Sequence, residues 1–263
     1  MFSKLKSLEV KFIAREKLSY DIWPKPVLAS EHKPEWYSQM VPYIGGKMSI
    51  VNKANGGSGL NPTLRQCMPV QDLVNAGYHI LLPCDVYIDN DARTGEKKVL
   101  WADSLPSMIT GHSLDQIGAY PVSEIYDPAP YKWNNIWIVK TPPGWSCVFQ
   151  HPAWHDDLPF RSLPGLVDTD RHDVPVEFPF LLRRNFTGLI PKGTPMIQVL
   201  PFKREKTKAT VTWDKDGSYN AKYHSFFLNL INKYKKFVRQ PKSYEIEEVG
   251  EAKCPFGGDA GKK

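Results

Sequence analysis

A mainly β fold, a barrel or jelly-roll-like core of short strands with a C-terminal amphipathic helix, is predicted by three features of the sequence. The 23 Pro and 18 Gly are dispersed along the 263 residues rather than gathered in tracts. Turn residues at that density would interrupt a helical bundle again and again. Between them lie short β-branched and aromatic runs, with aromatics at 12% of the chain, as a many-stranded protein requires. Helical apolar spacing becomes prominent only near the C-terminus, where Phe226, Phe227, Leu230, Ile231, Tyr234, Phe237 and Val238 recur at three- and four-residue intervals.

In chain order, Leu8, Val10, Phe12 and Ala14 alternate with charged residues and predict a first strand with one buried face. The Gly-rich stretch 45–62 reads as a loop, since no P-loop Lys-Ser/Thr follows it. Pro69 opens a short helix carrying Val70, Leu73 and Val74, and Gly77 stands where a left-handed cap would close it. A strand over 78–87 follows, bent at Pro83. The turn 90–95 then returns the chain as a hairpin strand over 97–101. The block 133–202 is the most patterned, with strands expected over 136–140, 145–150, 165–170, 176–180, 186–190 and 195–202. A last strand over 210–213 precedes the Asp216-Gly217 turn and a helix over 223–239, which is expected to pack against the core. This divides the chain into an N-terminal elaboration (1–64), a β-rich core (65–213), a basic helix (214–243) and a mobile tail (244–263).

Composition excludes several classes. No apolar run approaches the roughly 20 residues of a membrane helix, and the charged N-terminus does not read as a secretory signal. Cys67, Cys84, Cys147 and Cys254 are far apart with no C-x-x-C pair, which suits free thiols in a reducing compartment. The expectation is a soluble protein in a host cytoplasm or a virion. Net charge is +6, but residues 203–242 alone hold 11 Lys/Arg against 3 Asp/Glu. That segment could meet nucleic acid, an acidic partner or a phosphorylated surface, or be the solvated face of a docked helix.

Candidate binding residues concentrate in two polar loops, His151, His155 and Asp157 in one, Asp168, Asp170 and His172 in the other. His155 and Asp157 have the His-x-Asp spacing of a facial metal triad, in which two residues of one strand face the same way. The run Gly144, His151, His155, Gly165 and the turn Pro191-Lys192-Gly193 resemble the two metal motifs of the cupins, implying Fe held through His155 and Asp157. The chain lacks the His-x-His pair of the first motif, and Met196, Ile197 and Gln198 stand where cupins place a His.

The segments 165–170 and 191–200 resemble the trimeric dUTPase and dCTP deaminase group. That likeness implies a β-clip fold, a Mg-dependent nucleoside triphosphate hydrolase, and Asp168 as the carboxylate that activates water. The Arg-Ser-Ser phosphate motif is absent and Arg171 replaces the Tyr that supports the sugar. A third likeness spans about residues 20–240: Glu35-Trp36-Tyr37, 67–72 with 76–78, 141–146, 167–170 and 192–195 resemble an uncharacterised family of tailed phages, notably T4-like phages of marine cyanobacteria. It implies a viral setting and no activity. Because each enzyme template lacks an indispensable group, the sequence reads as a phage-encoded, non-catalytic binding or assembly protein, its two polar loops forming the recognition surface. A phage or host protein, or a second copy of the chain, is the expected partner. The alternatives are the hydrolase and a cupin-like mononuclear metal enzyme.

Overall fold

The computed structural model describes residues 8–45, 60–91, 93–94, 96–102, 107–228, 234–240 and 242–248. Most of the Gly-rich loop, two turn residues (92 and 95), Cys254 and the tail beyond 248 lie outside these, as do the side chains of Phe226 and Phe227. The chain is mainly β, with short strands in antiparallel sheets and a short C-terminal helix. Among the described residues no sheet closes into a barrel.

Strand β1 (Lys11–Ala14) leads through helix α1 (Lys17–Ile22) to β2 (Val27–Leu28), helix α2 (Glu35–Gln39) and the paired β3 (Tyr43–Gly45) and β4 (Leu60–Pro62). Helix α3 (Met68–Val74) precedes β5 (Tyr78–Leu81), and β6 (Val86–Asn90) forms a hairpin with β7 (Lys97–Leu100). Next come β8 (Ile109–Gly111), β9 (Tyr131–Trp133), β10 (Trp137–Lys140), β11 (Trp145–Gln150), β12 (Phe160–Ser162) and β13 (Gly165–Val167). Strands β14 (Phe178–Leu182), β15 (Gly188–Ile190) and β16 (Pro195–Lys203) complete the body, and α4 (Ser218–Leu228) follows.

The largest sheet has the order β13-β11-β16-β5-β2, a second runs β12-β14-β9-β8, and a third β15-β6-β7. The N-terminal residues belong to this body, because β1 pairs with β10 and β2 extends the large sheet. One core fills the space between the sheets. It takes Ile80, Cys147, Phe149 and Val199 from the first, Trp133, Phe160, Phe178 and Phe180 from the second, and Val86, Ile88 and Ile190 from the third. Trp133 stacks on Phe180 with ring centroids 3.9 Å apart and meets Phe160 edge-on at 5.1 Å. Removing one such buried ring typically costs about 3–5 kcal/mol.

The helix at Pro69 forms as expected, with Val70 and Val74 packed on Tyr37 of α2. Gly77 has φ +68°, the left-handed cap conformation. The carbonyls of Leu73 and Ala76 at this helix end accept hydrogen bonds from Gln198 Nε2 at 3.0 and 2.7 Å. Strands at 145–150 and 195–203 match the pattern, and the irregularity expected in the latter is a register shift between Pro195 and Ile197.

Four expectations fail near the C-terminus. The segment 210–213 is no strand: it pairs with nothing among the described residues. The helix begins at Ser218, five residues early, because Asp216 Oδ1 accepts the Ser218 N–H at 3.1 Å and Asp214 Oδ2 the Asn220 N–H at 2.8 Å. Residues 218–224 are exposed rather than packed on the core. The start of the tail is anchored, since Tyr78 Oη donates to the Glu245 carbonyl at 3.2 Å and Tyr244 meets Tyr78 edge-on.

Candidate functional site

The Pro142-Pro143-Gly144 turn, with Gly144 at φ +85°, starts β11 beside the end of β16 and the residues following β13. Four side chains meet at this corner. Arg204 donates from Nη1 to Asp170 Oδ1 at 2.9 Å and from Nη2 to Asp170 Oδ2, a bidentate grip. The Gly144 N–H adds a bond to Asp170 Oδ2 at 2.9 Å. Asp168 Oδ1 accepts from Ser146 Oγ at 2.7 Å and from Arg204 Nη1 at 3.1 Å. Arg204 holds the Asp170 carboxyl well below the usual carboxylate range, helped by the Gly144 N–H, and the same hydrogen bonds raise Arg204. The expected base, Asp168, is exposed but has one oxygen already committed to a cation and a hydroxyl. His172 contributes its backbone: its N–H donates to the Asp168 carbonyl at 3.0 Å and its own carbonyl accepts from Lys140 Nζ at 3.4 Å. The corner is a clasp that ties three strand ends together.

The other polar loop sits at the opposite end of β11. Ser146 and His151 are five residues apart on an extended chain, about 17 Å at ~3.4 Å per residue. The two loops therefore stand about 17 Å apart, at opposite ends of β11, and their side chains do not meet in one cluster. His151 and His155 turn inward. His155 Nε2 donates to the His32 carbonyl at 3.2 Å, and His151 Nε2 donates to the His155 carbonyl at 3.1 Å while its Nδ1 accepts the Ser162 N–H at 3.3 Å. These partners place a proton on Nε2 of both rings, and the Ser162 N–H on Nδ1 makes His151 the neutral tautomer.

His79 of β5 lies between His32 and His155, ring centroids 6.3 and 5.7 Å away, and neither of its nitrogens has a partner among the described residues. Burial pushes His79 down to about 3 and His155 to about 4, and lowers His32 and His151. Residues 152–158 form turns, with His155 N–H on the Pro152 carbonyl and Leu158 N–H on that of His155. The two-residue spacing therefore does not put His155 and Asp157 on one face; His155 is buried and Asp157 exposed. Among the described residues no three of His, Cys, Asp and Glu are placed to hold a metal ion, and the facial-triad expectation is not met.

Sequence reasoning missed a third feature, the path of the chain after β16. Residues 205–213 are all exposed, and among the described residues their only backbone–backbone hydrogen bond is the local one from the Lys215 N–H to the Trp213 carbonyl at 3.0 Å. Val211 is 98% and Trp213 71% exposed. Tyr219 and Tyr223 of α4 are exposed as well. The excursion is pinned at both ends. Arg204 holds Asp170 at its root, and Arg239 and Lys242 hold Asp72 of α3 at 2.7 and 2.8 Å where the chain returns. The signal was present as the alternation of 208–213, Lys208, Thr210 and Thr212 on one side and Ala209, Val211 and Trp213 on the other. That pattern specifies a strand but not whether its partner lies in the same chain.

Compared with known protein families and with curated proteins, the chain matches none. No helix among the described residues is long and apolar enough to cross a membrane.

Proposed function

We propose that the chain is a non-catalytic binding or assembly protein, of the kind tailed phages encode, that engages its partner through the arm 205–213 and the exposed face of α4. One observation carries this reading: Val211 and Trp213 stand in water on a segment outside every helix and strand, whose root is held to the body by Arg204. Large apolar side chains held out in this way mark an interaction site more than a surface at rest. Protein recognition is favoured over nucleic acid by charge. Residues 205–224 carry four lysines against three carboxylates, a net of +1, too little for a phosphate-tracking groove. Farther along, Arg239 and Lys242 are already paired with Asp72.

The test against the hydrolase and metal-enzyme alternatives is a turnover screen of the purified chain with deoxynucleoside triphosphates and Mg²⁺, and with Fe²⁺ and 2-oxoglutarate. No turnover is expected. Hydrolysis that Asp168→Ala lowers by roughly 10²–10⁴-fold, as loss of a general base does, overturns the reading in favour of the hydrolase. Fe-dependent turnover lost in His155→Ala overturns it in favour of the metal enzyme.

A further inference from the structure

We infer that the arm's partner is a second copy of this chain, in which residues 205–213 of each protomer add as an edge strand to β13 of the other. The inference rests on the arm being a docking element and names what it docks onto. Strand addition needs a donor with unpaired backbone and an acceptor with a free edge. The donor is the arm, whose polar and apolar residues alternate over 208–213 as in a half-buried strand although neither face is buried in one protomer.

The acceptor is β13, the terminal strand of the large sheet, whose one strand partner among the described residues is β11. On its outer face Leu200 of β16 stands opposite Val148 of β11, and Val148 stands opposite Leu166 of β13. This apolar cross-strand row ends at Leu166, 61% exposed on the open edge. An added strand would place Val211 beside Leu166 and extend the row by one side chain.

Geometry favours reciprocal exchange. The arm leaves the body at Arg204, whose guanidinium lies on Asp168 and Asp170, the residues that follow β13. Donor root and acceptor edge thus share one corner, so two copies can satisfy both pairings about a single twofold axis and close as a dimer. Each exchange pairs an arm with the three-residue edge Gly165–Val167, and closing two exchanges about one axis makes the second intramolecular. To reach its own β13 the arm would have to reverse at Arg204 and cross the Gly144 turn, whereas here it runs free of the body.

The experiment is sedimentation equilibrium of the full chain at micromolar concentration, with Val211→Pro in the arm and Leu166→Lys on the edge. Neither change touches a buried side chain, and melting curves establish that each variant folds; Leu166→Thr serves as a milder edge variant. The wild type is expected to be a dimer and each variant a monomer. An equimolar mixture should associate again, because Val211→Pro keeps an intact edge and Leu166→Lys an intact arm. With one exchange in place of two, that association should be weaker by roughly 10²–10⁴-fold. A monomeric wild type, or a dimer that neither variant disturbs, overturns the inference. If Val211→Pro abolishes binding of a different protein while the wild type is monomeric, the second-copy assignment falls and the docking reading stands; turnover lost in Asp168→Ala sinks the docking reading itself.

Discussion

Arg204 and Asp170 form a two-point ion pair in which Nη1 and Nη2 of the guanidinium face Oδ1 and Oδ2 of the carboxylate, with the carboxylate nearly sealed from solvent. The pair joins the first residue beyond β16 to the turn beyond β13, so it fixes the corner from which the arm departs. Its strength comes from geometry: a planar fork meeting a planar carboxylate, in a site where the Gly144 N–H supplies the remaining donor.

Asp170→Asn is expected to lower the thermal midpoint at pH 7. Arg204 depresses the folded-state pKa of Asp170 below its ordinary 3.8, so the carboxylate form is favoured by folding. Its stabilisation is present above pH 3.8 and is lost as the pH falls through the folded value. The gap between variant and wild type, read from melting curves at pH 7 and pH 2, should therefore narrow in acid. An equal gap at both pH values would show that the charge is irrelevant.

His79 sets an acid limit. Its folded pKa is pushed down to about 3 from 6.5, so the unfolded chain takes up the proton first. Stability is complete above pH 6.5 and falls as the pH drops toward 3, by roughly 3 kcal/mol at pH 4. His79→Leu removes two buried nitrogens that have no partner among the described residues and should leave stability at pH 7 equal or higher. In urea titrations the variant's loss between pH 6.5 and 4 should be visibly shallower, with His155, His32 and His151 accounting for what is left. An unchanged slope would remove His79 from the account.

Gln198 is the most heavily used buried polar side chain. Its Oε1 accepts from Gln150 Nε2 and the Ala153 N–H, while its Nε2 donates to the carbonyls of Leu73 and Ala76. Gln198→Leu keeps the approximate volume but leaves these groups unpaired in a dry site. A loss of about 2–4 kcal/mol is expected in urea unfolding, reflecting stranded donors and acceptors rather than lost packing. A loss below about 1 kcal/mol would mean that water replaces the amide.

Gly77→Ala should be among the most damaging small substitutions. The φ of +68° disfavours any Cβ, and a Cβ built there would lie 2.1 Å from the Val199 carbonyl oxygen of the neighbouring strand. Backbone strain alone costs about 1–2 kcal/mol, and separating α3 from β16 adds to it, so a loss above about 3 kcal/mol is expected. Gly144→Ala serves as the comparison. It shares the positive φ but has open space around the added methyl, and should cost only the strain.

Much of the fold was legible in local chemistry. Pro69 and Gly77 bracket a helix because one lacks an N–H where none is needed and the other accepts a positive φ. The strand at 145–150 stands between a Pro-Pro-Gly turn and a polar loop, and the hairpin 86–100 was readable from its turn residues. The short strands 109–111, 131–133 and 160–162 were not, because three residues carry too little periodicity to distinguish from coil. Of the candidate site residues, Asp168 and Asp170 do meet in space, whereas His155 and Asp157 are parted by a turn that spacing alone does not reveal.

By itself the sequence determined the mainly β class, the helix at 68–74, the free state of the described cysteines and the alternating character of 208–213, all of which depend on side chains near in sequence. Only the tertiary structure decided that Arg204, 34 residues from Asp170, would grip it, that four histidines would meet in an arrangement that makes no metal site among the described residues, and that a segment patterned as a strand would leave the body unpaired. Those outcomes depend on which strands become neighbours. Strand neighbours are selected by the burial of the whole core at once, a competition that no local pattern encodes.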